Sequence, residues 1–351
     1  MISRLMITTV LLSAVPALIA GSISGYTETA LASSASDADL INPWGISFGP
    51  TTPFWISDNG SGKATLYNGF GVKQGLVVNM PAGSEAITGQ VFNGTASFNS
   101  DLFLFASENG TIAGWRNALG ATAEQLFSQP GAVYKGLAIS DAKDTLYAAN
   151  FHNGAIDVFD STHLIGSFSD PTIPAGFAPF NIQNIGGVFY VTFAKQDADA
   201  EDDVPGLGNG FVDIFNPVTR NFTRLISNGV LNSPWGLAIA PATFGAAAGD
   251  LLVGNFGDGM INAFRMDGTA LGALADLSGS PLVNDGLWAL AFGNRGAGFS
   301  ANSLYITAGT NGETGGLFAR IDAVPEPAPV ALIGGGLALL ALGSRRRTVA
   351  C

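Results

Sequence analysis

One phrase recurs six times between residues 42 and 322, and it constrains the fold more than any other feature of the chain. The phrase is a turn with Pro or Gly, an apolar strand, a second strand, an Asn/Asp/Gly turn and an alternating third strand. Its first copy reads PWGISFGPTTPFWISDNGSGKATLYNG at 43–69, and its third reads YKGLAISDAKDTLYAANFHNGAIDVFD at 134–160. The others start at residues 87, 179, 234 and 287. Aligning Gly45, Gly89, Gly136, Asn181, Gly236 and Ala289 gives steps of 44, 47, 45, 55 and 53 residues. The runs alternate with period two and are rich in Val, Ile and Phe, which excludes helical repeats.

A period of ~40–50 residues with short strands is what four-stranded propeller blades require. The predicted fold is therefore all-β, a six-bladed β-propeller. The sixth copy has three strands and lacks a fourth. The alternating segment Tyr26–Ser33 (YTETALAS) resembles the outer strands of other copies and is expected to close the last blade, burying two raw edges. The alternative reading of that segment is a spacer. Apolar residues make up 47% of the chain, enough for a large core without disulfides, and the single cysteine, Cys351, is the last residue.

Charge narrows the partners. The net charge is −12, and residues 21–324 carry 26 acidic against 11 basic side chains. Such a surface repels phosphate backbones, so no nucleic-acid partner is expected.

The two ends read as addresses. Residues 1–20 (MISRLMITTVLLSAVPALIA) show the charged start, apolar stretch and small-residue exit of a signal peptide, with an N-terminal anchor as the alternative. The domain is expected to span residues 26–323. Beyond it, Val324, Pro325, Glu326 and Pro327 precede an apolar run closed by Arg345, Arg346 and Arg347. The run is short for a spanning helix, but the arginines would hold its end on the cytoplasmic side. In this order residues 324–347 resemble the PEP-CTERM sorting signal of Gram-negative bacteria; the alternative is an ordinary tail anchor. The resemblance implies recognition at Val324–Pro327 by an exosortase and passage through the secretion machinery. It also implies transient anchoring by a transmembrane helix and a final place at the cell surface or in the extracellular matrix.

The phrase Pro-x-Gly, apolar strand, Asp/Asn turn and Ile-x-Val-Phe-Asp resembles NHL-type six-bladed propellers. With INPWGISF and FWISDNG near the start, the whole resembles a PEP-CTERM-associated propeller family that brings no activity with it.

Loops that start the first strands and loops joining second to third strands open on one face of a propeller. There Asp58, Glu108, Asn150, Lys195 and Asn255 are candidates for a ring at the channel mouth, joined by Asn42, Lys135, Asn284 and Asp285. Tight turns demand such residues in any case; a functional ring is the second reading. Carboxylates and amide carbonyls suit Ca²⁺, which the gluconolactonase and paraoxonase propellers bind. Their ligand motifs are absent here, so that analogy rests on fold alone. The insertion KQDADAEDDVPGLGNG at 195–210 holds Asp197, Asp199, Glu201, Asp202 and Asp203, a second candidate for a cation or simply a solvated acidic loop. Trp44, Trp235 and Trp288 recur near the starts of first strands, as core or as stacking surfaces for sugar rings. His152 and His163 form no triad pattern.

The expectation is a non-enzymatic propeller that binds a ligand or partner, such as an exopolysaccharide or a surface protein, through its loop face. The alternative is a calcium-dependent lactonase-type hydrolase with its site at the channel mouth.

Overall fold

The computed structural model describes residues 21–325. Six antiparallel sheets follow one another along the chain. Blade one comprises Pro43–Ser47, Phe54–Asp58, Lys63–Tyr67 and Lys73–Asn79, running outwards. Blade two comprises Ile87–Phe92, Phe103–Ser107, Thr111–Trp115 and Glu124–Ser128. Blade three has Tyr134–Ile139, Leu146–Asn150, Ala155–Phe159 and Leu164–Phe168, and blade four has Phe177–Ile185, Val188–Lys195, Gly210–Asn216 and Asn221–Ser227. Blade five contains Pro234–Ile239, Leu251–Asn255, Ile261–Phe264 and Ala270–Leu274. Each first strand packs on the first strand of the next blade, and the sixth packs on the first, so the ring is closed.

Closure follows the expected device. Blade six contributes Leu287–Phe292, Leu304–Ala308 and Leu317–Ala323, and Tyr26–Ser33 adds its outer strand, pairing Tyr26 with Ala323 and Ser33 with Leu317. One addition was not legible in the sequence. Ser22–Ile23 pairs in parallel with the outer strand of blade five, so the N-terminal segment staples two blades.

The recurring glycine has a steric cause. A Cβ on Gly45 would lie 2.6 Å from the Thr88 carbonyl oxygen, one on Gly89 2.4 Å from the Leu137 nitrogen, and one on Gly236 2.3 Å from the Trp288 carbonyl oxygen. At these three glycines neighbouring inner strands approach most closely, and only a residue without Cβ fits. In copy four the position is Asn181, whose Nδ2 donates to the Trp235 carbonyl at 2.9 Å and ties blade four to blade five. Gly89→Ala is expected to cost about 1–3 kcal/mol, because backbone must move to admit the methyl. A lowered urea midpoint with unchanged slope would show it; a variant as stable as the parent would refute it.

Second strands are buried along their whole length in every blade but the fourth, where only the two end residues are exposed, which explains their nearly continuous apolar sequence. Six apolar clusters lie between adjacent blades. A seventh gathers Trp44, Phe151, Phe180, Trp235 and Trp288, one residue or more from each of several inner and second strands, with Phe256 packed against it. Trp44 stacks on Trp288 at 3.5 Å, and Phe256 stacks on Trp288 at 4.1 Å. The tryptophans are therefore core: they plug the channel.

Residues 1–20 and 326–351, which carry the expected signal peptide and Glu326, Pro327 and Arg345–Arg347, lie outside the described residues. Val324 and Pro325 end the described chain, the Val324 N–H donating to the Gly25 carbonyl at 2.7 Å. Among the described residues no helix is long and apolar enough to cross a membrane. Among the described residues this corrects the expectation of a transmembrane segment, since their secondary structure is strands and short 3-10 turns, and the apolar run at 330–343 lies outside them.

Candidate functional site

Above the aromatic plug, a polar network crosses five blades. Lys135, on the inner strand of blade three, has a side chain only 3% exposed. Its Nζ donates to Glu108 Oε1, from the turn of blade two, and lies 3.1 Å from Asp202 Oδ1 of the blade-four insertion. Glu108 Oε2 accepts from Asn59 Nδ2 at 2.8 Å. Asn42 Nδ2 donates to Glu313 Oε2 at 2.6 Å and reaches Asn59 Oδ1 at 3.4 Å. The plug orients this layer. Trp288 Nε1 donates to Asn42 Oδ1 and Trp235 Nε1 to the Lys135 carbonyl, each at 2.9 Å. The Lys135 ammonium lies 5.4 Å from the Trp44 ring centroid, a favourable cation–π distance.

The electrostatics separate two roles. Burial pulls the Lys135 ammonium towards neutrality, but the Glu108 and Asp202 carboxylates outweigh it and hold its pKa above that of an ordinary lysine. It is a fixed cation. Burial pushes the Glu313 carboxyl above the usual carboxylate range, against the Asn42 hydrogen bond and with the support of nearby Glu108. Glu313 also sits at φ 66°, a left-handed backbone where glycine is the ordinary choice. A half-buried carboxyl with a raised pKa, in a strained turn and within the field of Lys135, has the character of a candidate acid–base group.

Of the expected ring, only Glu108 joins this network. Asp58, Asn150 and Asn255 are buried ends of second strands and close the next hairpin. Thr65 Oγ1 donates to Asp58 at 2.6 Å, Asn150 Nδ2 donates to Asp157 at 2.8 Å, and Asn255 Nδ2 donates to the Val230 carbonyl at 2.8 Å. Burial raises the Asp58 pKa well above its usual value. Lys195 is an exposed strand end. Asn284 donates to Glu28 at 2.9 Å, and Asp285 accepts from the Asn311 N–H at 2.9 Å.

The acidic insertion disperses its carboxylates. Asp197 accepts the Glu201 N–H at 3.0 Å, Asp199 and Glu201 are exposed, and Asp202 turns to Lys135. Asp203 is half-buried with its pKa raised by burial. Among the described residues no three His, Cys, Asp or Glu side chains gather as metal ligands. The counter-ion of the insertion is Lys135. Glu313 was missed because the signal was faint: one carboxylate in the Gly-rich turn TNGETGG.

On the other side of the plug the channel widens into a cavity of about 670 Å³, floored by Trp235 and rimmed by the turns joining first to second strands.

No protein-family model matches the chain. Among solved structures, the fold is similar to a streptogramin B lyase, with TM-score 0.54 and 11% identity over 85% of this chain and 98% of that one. It is likewise similar to virginiamycin B lyase from Staphylococcus aureus, with TM-score 0.53 and 13% identity over 85% and 99%. At such identities the likeness establishes the propeller fold. Both neighbours are lyases by name, so the fold expected to serve as a non-enzymatic binding module is one that also carries enzymes. In sequence, the uncharacterized protein R648 of Acanthamoeba polyphaga mimivirus is 38% identical over 283 residues, 73% of this chain and 69% of that protein. The uncharacterized protein L690 of the same virus is 36% identical over 288 residues, 73% and 74% of the two chains. With that identity across most of the propeller, the chain belongs to the family of R648 and L690.

Proposed function

We propose that the protein is an enzyme of the propeller-lyase kind, cleaving a cyclic ester by elimination at the mouth where Lys135, Glu108, Asn42 and Glu313 meet. The observation that carries this reading is the buried Lys135 cation beside the raised Glu313 carboxyl. Glu313 takes a proton from the carbon next to the one bearing the ester oxygen, a proton made acidic by a neighbouring carbonyl. The C–H electron pair becomes a C=C bond, the C–O bond breaks, and the ester oxygen leaves as a carboxylate beside the Lys135 ammonium. Glu108 and Asp202 keep that ammonium charged, and the aromatic plug beneath it excludes water and strengthens its field.

The two lyase neighbours support the reaction class. The lactonase alternative shares the substrate class and differs in its use of water. Mass separates the two. The purified protein, incubated with a panel of cyclic esters, is expected to yield an opened product isomeric with its substrate. A product heavier by one water would establish hydrolysis instead, and no turnover of any ester would sink both.

The segments at the two ends support processing as a further part of this proposal, with a signal peptide at residues 1–20 and exosortase recognition of Val324–Pro327. Intact-mass measurement of the mature protein checks it; a full-length mass would remove it.

A further inference from the structure

The cavity of the channel lies at the opposite end from the Lys135 network, separated from it by the Trp44, Trp235 and Trp288 plug. Its volume, about 670 Å³, falls within the range of small-molecule sites. All six inner strands contribute to its wall, which is mostly apolar, with Ile46, Phe48, Val91, Phe92, Ile239 and Phe292 partly exposed along it. Such a wall favours an apolar body.

Most polar groups in the wall are already satisfied. Gln90 Nε2 donates to the Gly45 and Trp55 carbonyls at 2.7 and 2.9 Å, and its Oε1 accepts from Ser47. Asn181 donates to the Trp235 carbonyl. Asn184 Nδ2 donates to the Ile139 carbonyl at 3.0 Å and to Asp141 Oδ1 at 2.8 Å, while its Oδ1 accepts the Gly187 N–H. What remains at the rim is Lys143. Among the described residues it makes no ion pair, and burial lowers its pKa, with Asp141 opposing. It is also held at φ 60° in the turn between the first two strands of blade three. A turn that takes lysine where glycine would be unstrained retains the side chain at some cost.

We propose that this cavity binds an amphipathic monoanion, its apolar tail in the channel and its carboxylate on Lys143. An anion at the rim supplies the charge that Lys143 lacks, and the wall desolvates the tail. Asp141 favours a singly charged head, since it repels a second negative charge.

Calorimetry on the full propeller with three ten-carbon probes tests the proposal: decanoate, decanol and decyltrimethylammonium. Decanoate is expected to bind at least tenfold more tightly than decanol, and the cation more weakly than either. Lys143→Met should abolish the preference for decanoate while decanol still binds, and Lys143→Arg should keep it. Ala291→Trp, which fills the wall of blade six, should weaken decanoate and decanol alike, whereas Lys135→Met on the far side of the plug should change neither. The proposal is overturned if the unmodified protein binds none of the probes, if it prefers the cation, or if Lys143→Met retains the decanoate preference. Because the two sites are separated by the plug, loss of this site leaves the elimination reading standing, and the reverse holds as well.

Discussion

Lys135→Met is expected to lower kcat/KM for the elimination by ~10²–10³-fold while leaving the propeller folded. Among the described residues the ammonium is the only cation in the mouth network, and removing one preorganised stabiliser of a developing oxyanion typically costs that much. Methionine preserves most of the volume over the Trp44 ring, so packing survives. Glu313→Gln should cost ~10²–10⁴-fold, the range for a lost general base. The pH profile tells a base from a merely structural residue. Burial raises the folded pKa of Glu313, and the base must be ionised to act, so kcat/KM should fall on acidification through a value above that of an ordinary glutamate. Asn42 lowers that pKa through its 2.6 Å hydrogen bond. Asn42→Ala, a change in a positioning residue, should therefore move the acid limb to higher pH. An acid limb that stays where it is in both the Asn42 and Glu313 variants would eliminate Glu313 as the base.

Tyr26→Ala is expected to destabilise the fold by about 3–5 kcal/mol, the cost of truncating a fully buried aromatic side chain. Tyr26 is 0% exposed between blades five and six, with its ring 5.0 Å from that of Phe244. Its hydroxyl donates to the Phe244 carbonyl at 3.2 Å and accepts the Ala247 N–H at 3.0 Å. Truncation opens a cavity at the seam where the ring closes and leaves two buried backbone groups unpaired. Tyr26→Phe keeps the ring and should cost ~1–3 kcal/mol, isolating the hydroxyl. Thr27→Ala, an exposed neighbour on the same strand, is the control. Equal denaturation midpoints for the Tyr26→Ala and Thr27→Ala proteins would show that the N-terminal strand does not secure closure.

Much of the architecture is local information. Strand alternation, turn residues and the repeat are written within stretches of about ten residues, and repetition multiplies a weak signal six times. The absence of a fourth strand in the last copy, together with the spare YTETALAS segment, even specified how the ring closes. Ser22–Ile23 escaped because a two-residue strand carries no periodicity, and its partner lies about 250 residues away in the sequence.

The site was less legible because turns and ligands draw on the same residue types. Asp58, Asn150 and Asn255 look identical to Glu108 in the repeat alignment, yet they end buried in hairpin closures. Glu108 stands one residue later and meets Lys135. Asp202 is one of five similar carboxylates, and only the path of the insertion selects it as the lysine's second partner. Sequence by itself determined the blade, the number of blades and the strand that joins the ends, because these follow from short-range patterns of burial and turning. Only tertiary structure decided that the tryptophans plug the channel, that one lysine is buried between two carboxylates from different blades, and that an apolar cavity opens behind them. Those features depend on which side chains six separate segments bring to one axis, and distances across an axis leave no trace in local sequence.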